Sequence, residues 1–158
     1  MFVYDELTAL DLLDVNLVNL DAMTASFSLE FYTSYFESHN QHCMAVKTDG
    51  SVVGYLFGST GKYMKSETKY AHVTALSIAP TVRKCCLGSG LMELFERNAS
   101  EEESVFIDLF VRCSNKSAIA FYTKHGYGVH KQVPGYYIEP AEDGYDMRKY
   151  LKGQVEVG

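Results

Sequence analysis

The chain predicts a mixed α/β (α+β) domain, a central sheet of about seven strands flanked by four helices, and three observations carry that prediction. Segments of period two and period 3.6 follow one another in the order β-α-α-β-β-β-α-β-α-β-β, with no internal repeat or linker. Val105 to Arg112 is almost wholly apolar apart from Asp108, as expected of a central strand covered on both faces. Thr48-Asp49-Gly50 separates two β-rich runs, Cys43 to Lys47 and Ser51 to Gly58, and Asp-Gly supplies a tight hairpin turn between them. At 158 residues, 47% of them hydrophobic, the chain is long enough for one domain, residues 1–158, and can bury a core without disulfides or metal.

The other elements follow from local pattern. Residues 2–7 read as a short strand. Leu10, Leu13, Leu17 and Leu20 then recur at helical spacing, with Thr8 available as the N-cap. Phe27, Phe31, Tyr32, Tyr35 and Phe36 form an aromatic stripe on a second helix that stops near Ser38-His39-Asn40. The polar segment Ser59 to Tyr70 predicts a mobile loop. Ala71 to Ala79 is a strand with His72, Thr74 and Leu76 on one face, ended by Pro80. Glycines precede a helix with Leu91, Met92, Leu94 and Phe95 on its apolar face, and Glu101-Glu102-Glu103 opposes the macrodipole at its far end, which predicts early fraying. A helix from Asn115 to Lys124 ends at Gly126, and Tyr127 to Tyr137 with Gly144 to Leu151 give the last two strands.

Charge and cysteine usage exclude several functions. Fourteen Lys and Arg against twenty Asp and Glu leave a net charge of −6, with the cations scattered, which disfavours direct nucleic-acid binding. No apolar run is long enough for a membrane span, and Met1-Phe2-Val3-Tyr4-Asp5 lacks the basic start of a signal peptide, so the expected location is the cytosol or nucleus. Cys43, Cys85, Cys86 and Cys113 fit neither zinc-site nor disulfide spacing, and are read as reduced thiols with no metal bound. Two N-x-S triplets, at Asn98 and Asn115, matter only in a secreted chain.

Chemistry enters at Ala79-Pro80-Thr81-Val82-Arg83-Lys84-Cys85-Cys86-Leu87-Gly88-Ser89-Gly90-Leu91-Met92, where a strand passes through a basic, glycine-bearing turn into a helix. Unpaired N–H groups at a helix start, close backbone approach at glycine and two cations can cradle a pyrophosphate. The Gly-Lys-Ser/Thr ending of a P-loop is missing, and the glycines follow the fourth strand where a dinucleotide fold has them after the first. A second constellation, Asn115-x-x-Ala118-x-x-x-Tyr122-x-x-x-Gly126-Tyr127, lies along one side of a helix next to the central strand.

Together these motifs resemble the GNAT superfamily of N-acetyltransferases, and the element order agrees with the GNAT fold. Val18-Asn19-Leu20-Asp21, His72-Val73-Thr74-Ala75-Leu76-Ser77-Ile78-Ala79-Pro80, Ile107-Asp108-Leu109-Phe110-Val111-Arg112 and Tyr145-Asp146-Met147-Arg148-Lys149 narrow the likeness to the catalytic subunits of NatB amino-terminal acetyltransferases. The resemblance implies acetyl transfer from acetyl-CoA to nascent proteins beginning Met-Asp, Met-Glu, Met-Asn or Met-Gln. It implies a cytoplasmic protein working with a helical-repeat auxiliary subunit, and through it the ribosome, with the first two helices as the docking face.

Residue by residue, the resemblance implies that the backbone at Leu76, Ser77 and Ile78 pairs with the pantetheine arm. Arg83, Lys84, Cys85, Cys86, Leu87, Gly88, Ser89 and Gly90 would hold the pyrophosphate, with Asn115 anchoring the cofactor side. Tyr122 would lie near the sulfur and protonate the leaving thiolate. His72 has two candidate roles, taking the amine proton through water or donating to the substrate's second side chain, and the acidic composition favours the second. Thr74 shares its face, while Phe27, Tyr136 and Tyr137 would close over the peptide.

Three positions depart from the family pattern. Cys86 occupies a glycine position, which predicts modestly weaker CoA binding and an oxidation-sensitive thiol; Phe110 stands where relatives often have His; Ala25 stands where the family usually has Glu. Two other readings use the same residues: an acetyltransferase of this fold acting on a small amine or lysine side chain, and a non-catalytic acyl-CoA-binding subunit.

Overall fold

The computed structural model describes residues 1–18, 28–39 and 42–151. Strands β1 (Phe2–Glu6), β2 (Cys43–Thr48), β3 (Ser51–Lys62), β4 (Lys69–Ile78), β5 (Phe106–Arg112), β6 (Gly128–Ile138) and β7 (Ala141–Tyr150) form one seven-stranded sheet in the order β1-β2-β3-β4-β5-β7-β6. The β4–β5 pair is parallel and β5–β7 antiparallel, so β5 is central and the sheet mixed, as its apolar sequence predicts. Where four helices are expected, three of at least nine residues form among the described residues, α2 (Leu29–His39), α3 (Leu87–Glu101) and α4 (Lys116–Lys124), and the expected first helix is reduced to the four-residue α1 (Val15–Val18).

The chain groups into two compact units, one of Met1–Ser59 with Thr74–Arg97, the other of Thr60–Val73 with Asn98–Gly158. In the first, the core gathers Leu7, Leu12, Val15, Val18, Tyr32, Cys43, Ala45, Val52, Tyr55, Phe57 and Ala79. Tyr32, fully buried on α2, packs edge-on to Tyr55 at 6.2 Å and tilted on Phe57 at 5.2 Å. Phe31, Tyr35 and Phe36 pack partly buried against this core, so the aromatic stripe is structural. Ser28 accepts from the Phe31 N–H at 3.1 Å and caps α2. Phe27, like Ala25 and Asn19 to Asp21, lies outside the described residues.

Two expectations need correction in this unit. Leu10 and Leu13 are 78% and 67% exposed, because Leu10–Leu13 forms a 3-10 turn that shifts the phase and turns Leu12, Val15 and Val18 inward instead. Ala9, not Thr8, stands at the N-cap of that turn, and Thr8 just before it bonds Asp11: its N–H donates to Asp11 Oδ2 at 2.7 Å, and its hydroxyl accepts from the Asp11 N–H at 3.4 Å. Burial pushes the Asp11 carboxyl up, but the Lys47 ammonium 2.7 Å away and the Thr8 bonds outweigh it and hold the pKa below the usual range. The Asp49-Gly50 turn forms as predicted, with φ of +49° and +79°, the pair of left-handed residues a type I′ hairpin requires.

In the second unit the core includes Ala71, Val73, Ala99, Phe106, Ile107, Leu109, Val111, Tyr122, Tyr127, Met147 and Leu151. The predicted loop Ser59 to Tyr70 is shorter than expected, since β3 runs to Lys62 and β4 starts at Lys69, joined by a turn in which the Tyr63 N–H donates to the Thr68 carbonyl at 2.8 Å. Polar residues read as loop are here the exposed ends of a hairpin. Nor does α3 fray early: it continues through Glu101, and Lys69 Nζ reaches the Glu102 carbonyl and the Glu103 carboxylate, each at 3.4 Å, offsetting the negative end.

Candidate active site

In the first unit, β4 delivers Leu76, Ser77 and Ile78 to the start of the basic turn, with Ser77 buried. Pro80–Val82 forms a single 3-10 turn, and the Arg83 side chain folds back so that Nε donates to the Ile78 carbonyl at 2.9 Å. Lys84 and Cys86 both adopt left-handed backbone, φ +66° and +59°, on either side of Cys85. Residues 83–86 are exposed, whereas Leu87 is 4% exposed and anchors the first turn of α3. Gly90 lets the Tyr4 ring close on that turn, since a Cβ there would sit 2.2 Å from Tyr4 Oη. Successive residues of changing handedness ahead of a helix N-terminus turn backbone N–H groups toward one concavity, and Arg83 and Lys84 add cationic charge. These features fit the pyrophosphate of acetyl-CoA. Thr74 in the same unit exchanges a 2.8 Å hydrogen bond with the Tyr35 hydroxyl.

In the second unit, His72 and Asp108 are cross-strand partners on β4 and β5, and His72 Nδ1 lies 2.7 Å from Asp108 Oδ1. Phe110, two residues along the same face of β5, tilts against the His72 ring at 5.9 Å and stacks on Tyr136 at 4.3 Å. Burial raises the Tyr136 pKa, and the nearby Asp108 and Asp146 carboxylates raise it further. Tyr137 packs edge-on to Tyr136 at 5.0 Å. Burial and then Tyr136 push its hydroxyl up to about 12, against the lowering effect of the Arg112 guanidinium that lies 4.2 Å over its ring. Arg112 also donates to the Pro140 and Glu139 carbonyls at 2.9 and 3.2 Å, so it clamps the β6–β7 hairpin that carries both tyrosines.

Tyr122 on α4 is 9% exposed and rests edge-on against Tyr127 at 5.9 Å. Burial, and then Tyr137, raise its pKa strongly, so the hydroxyl keeps its proton far above neutrality. Asn115 caps the helix, its Oδ1 accepting from the Ala118 N–H at 3.2 Å, which fixes the start of the helix that carries Tyr122. Each unit thus brings together a subset of the predicted residues: 74, 76–78 and 83–90 in one, 72, 115, 122, 136 and 137 in the other. Sequence reasoning gave no role to Asp108 or Arg112. The signal for Asp108 was present as the one carboxylate in an apolar strand. Among the described residues, no group of three or more His, Cys, Asp and Glu side chains is arranged to hold a metal ion, and no helix is long and apolar enough to cross a membrane.

The model of the Acetyltransferase (GNAT) family matches residues 12–127, and the chain belongs to that family. It is 39% identical to the catalytic subunit naa20 of the N-terminal acetyltransferase B complex of Schizosaccharomyces pombe, over 93% of this chain and 84% of that protein. The NAA20 subunit of Arabidopsis thaliana is 38% identical, over 92% and 83%. Among solved structures, Chaetomium thermophilum Naa20 in complex with a bisubstrate analogue superposes with a TM-score of 0.88 at 32% identity, covering 95% of this chain and 87% of that one. A NatB acetyltransferase complex bound to CoA and MES gives 0.84 at 32% identity, covering 94% and 99%. Within the GNAT family the chain therefore falls among the NatB catalytic subunits, and it is an acetyl-CoA-dependent N-terminal protein acetyltransferase.

Proposed function

We propose that the chain acetylates the α-amine of nascent proteins beginning Met-Asp, Met-Glu, Met-Asn or Met-Gln, in the cytoplasm, as the single catalytic domain 1–158 of a NatB complex whose helical-repeat auxiliary subunit docks it at the ribosome. The observation that carries this reading is a carboxylate-backed His72 beside aromatic Phe110, Tyr136 and Tyr137, a surface suited to a peptide with a polar second side chain. The CoA-bound NatB complex and the bisubstrate-bound Naa20 among its structural relatives support the cofactor and the peptide substrate.

Acetyl-CoA supplies an activated acyl thioester. An α-amine with a pKa of roughly 7.7–8.0 is already partly neutral at physiological pH, so no strong base is required of the protein. The left-handed turn at Lys84 and Cys86 and the start of α3 hold the pyrophosphate, and Arg83 and Lys84 offset its charge. As the nitrogen bonds to the acyl carbon and the C–S bond breaks, Tyr122 gives its hydroxyl proton to the departing thiolate and regains one, through water, from the nitrogen that has been acylated, a role suited to a buried phenol that does not ionise near neutrality. His72 meets the second side chain of the peptide, and the Tyr136-Tyr137 pair flanks the backbone.

CoA release with peptides beginning Met-Asp, Met-Leu and Ser-Glu, and with an internal-lysine control, tests the reading. Selective turnover of Met-Asp is expected, falling about a hundredfold in Tyr122→Phe, the lower range for loss of a general acid. Equal turnover of all four would leave a general acetyltransferase, and CoA binding without turnover, even with an auxiliary subunit present, would leave a non-catalytic acyl-CoA-binding subunit.

A further inference from the structure

The face of β4, β5 and β7 in the second unit carries charge deep in the sheet. Register sets His72 opposite Asp108, Asp108 opposite Arg148, and Phe110 opposite Asp146, and residues opposite one another share a face. Asp108 is only 7% exposed, between Ile107 and Leu109, which are buried as well. A carboxylate so placed is costly unless it is paired. Its neighbour Arg148 is engaged elsewhere: Nη2 donates to Asp146 Oδ2 at 3.3 Å and Tyr63 Oη at 3.4 Å, and the guanidinium lies over the Phe106 ring at 4.6 Å. Asp108 pairs instead with His72, at 2.7 Å, the short end of charge-assisted hydrogen bonds.

A carboxylate can only accept, so the Nδ1–H of His72 donates. The ring is thereby committed. Nδ1 belongs to the sheet and Nε2, on the far edge, remains for another partner; the His72 side chain is 25% exposed where that of Asp108 is 10%. Phe110 borders the ring and is itself fixed by stacking on Tyr136.

We propose that Asp108 is the positioning residue for recognition of the substrate's second side chain: by holding Nδ1–H of His72, it presents Nε2 to that side chain in one orientation. The inference rests on His72 being the group that meets the second residue. A ring held this way serves both substrate chemistries. With both nitrogens protonated, Nε2–H donates to the carboxylate of Asp or Glu; with only Nδ1 protonated, Nε2 accepts from a carboxamide N–H of Asn or Gln. One Asp-His pair therefore accounts for a preference that spans two acids and their amides.

Asp108→Asn separates orientation from charge, since it keeps the size and an acceptor oxygen. In the full chain with a NatB auxiliary subunit, kcat and KM are measured on peptides beginning Met-Asp, Met-Asn and Met-Leu. Asp108→Asn is expected to lower the Met-Asp to Met-Asn ratio of kcat/KM about tenfold, the difference between a charge-backed and a neutral hydrogen bond, and to leave that ratio unchanged when His72→Ala is already present. Equal losses on all three peptides, or a further change of the ratio in the His72→Ala background, would overturn the role of Asp108 alone. A wild type that does not prefer Met-Asp to Met-Leu would instead overturn the substrate reading, and this inference with it. One readout needs no variant of Asp108: nitrogen NMR of the labelled wild type should show Nδ1 of His72 carrying its proton, and a bare Nδ1 there would also overturn the proposal.

Discussion

Cys86 holds a backbone conformation, φ +59°, in which a side chain crowds the following carbonyl. The cost is on the order of 1 kcal/mol for an L residue and nothing for glycine, though glycine gives back part of the gain through a freer unfolded chain. Cys86→Gly should therefore raise stability by about 0.5–1 kcal/mol in urea denaturation. The same substitution should tighten acetyl-CoA severalfold in a binding titration, because a pre-formed left-handed turn presents its N–H groups without a Cβ beside them. Cys86→Val should move both quantities the other way, since a β-branched residue is poorly tolerated at positive φ. Unchanged affinity in Cys86→Gly would mean that the Cβ stands clear of the pyrophosphate. The sequence alone posed this question at position 86 and could not answer it, since handedness belongs to the whole turn: Lys84, with no glycine in its place by motif, is left-handed as well.

At the scale of elements, β3 and α3 meet in the first unit through a missing side chain. A Cβ on Gly58 would lie 2.2 Å from Phe95 Cε2 and 2.6 Å from its Cζ, and the Phe95 ring, fully buried, has little room to move. Gly58→Ala is expected to cost about 1–3 kcal/mol by overpacking, measured in urea, and Phe95→Leu in the same chain should recover part of that cost. A neutral Gly58→Ala would show that the ring can swing aside. The elements themselves were largely legible. Period two and the Asp-Gly turn gave β2 and β3, and the apolar run gave β5, because these patterns depend on neighbours in sequence. The misreadings share one physical cause, the choice among local partners that sequence does not rank. Thr8 and Asp11 bond each other beside a 3-10 turn that rotates the leucines at 10 and 13 outward, and Lys69 reaches the residues that follow α3, which continues through Glu101. At 83–90 and at Tyr122 the motif read from sequence falls on a turn ahead of α3 and on α4, so the elements there follow the pattern. Asp108 stands out in sequence as the one carboxylate of an apolar strand, but its partner His72 appears only when β4 and β5 pair in register.

For the molecule as a whole, buried tyrosines and the buried Cys43 thiol, which is pushed up to about 12, couple stability to alkali. Burial raises the hydroxyl pKa of Tyr4, Tyr35, Tyr70, Tyr122, Tyr136 and Tyr137, in both units, and raises Tyr122 and Tyr137 most among these. The unfolded chain releases these protons near the ordinary value of about 10, whereas the folded chain still holds them. Above that pH the folded state binds more protons than the unfolded state, so stability falls as pH rises. The contribution is complete below about pH 10 and is lost progressively on the way up to the raised native values. Thermal midpoints measured from about pH 8 to pH 11, with tyrosinate absorbance followed alongside, should decline gently at first, as unfolding frees the Cys43 thiol to ionise, and then drop steeply, and tyrosinate should appear with unfolding. In Tyr122→Phe the drop should be shallower, since one buried hydroxyl no longer has to lose its proton, even if the variant starts from a lower midpoint. A drop of the same slope in Tyr122→Phe would mean that its hydroxyl ionises in the folded protein as it does in water, and such a phenol would no longer be a proton donor that survives alkaline conditions.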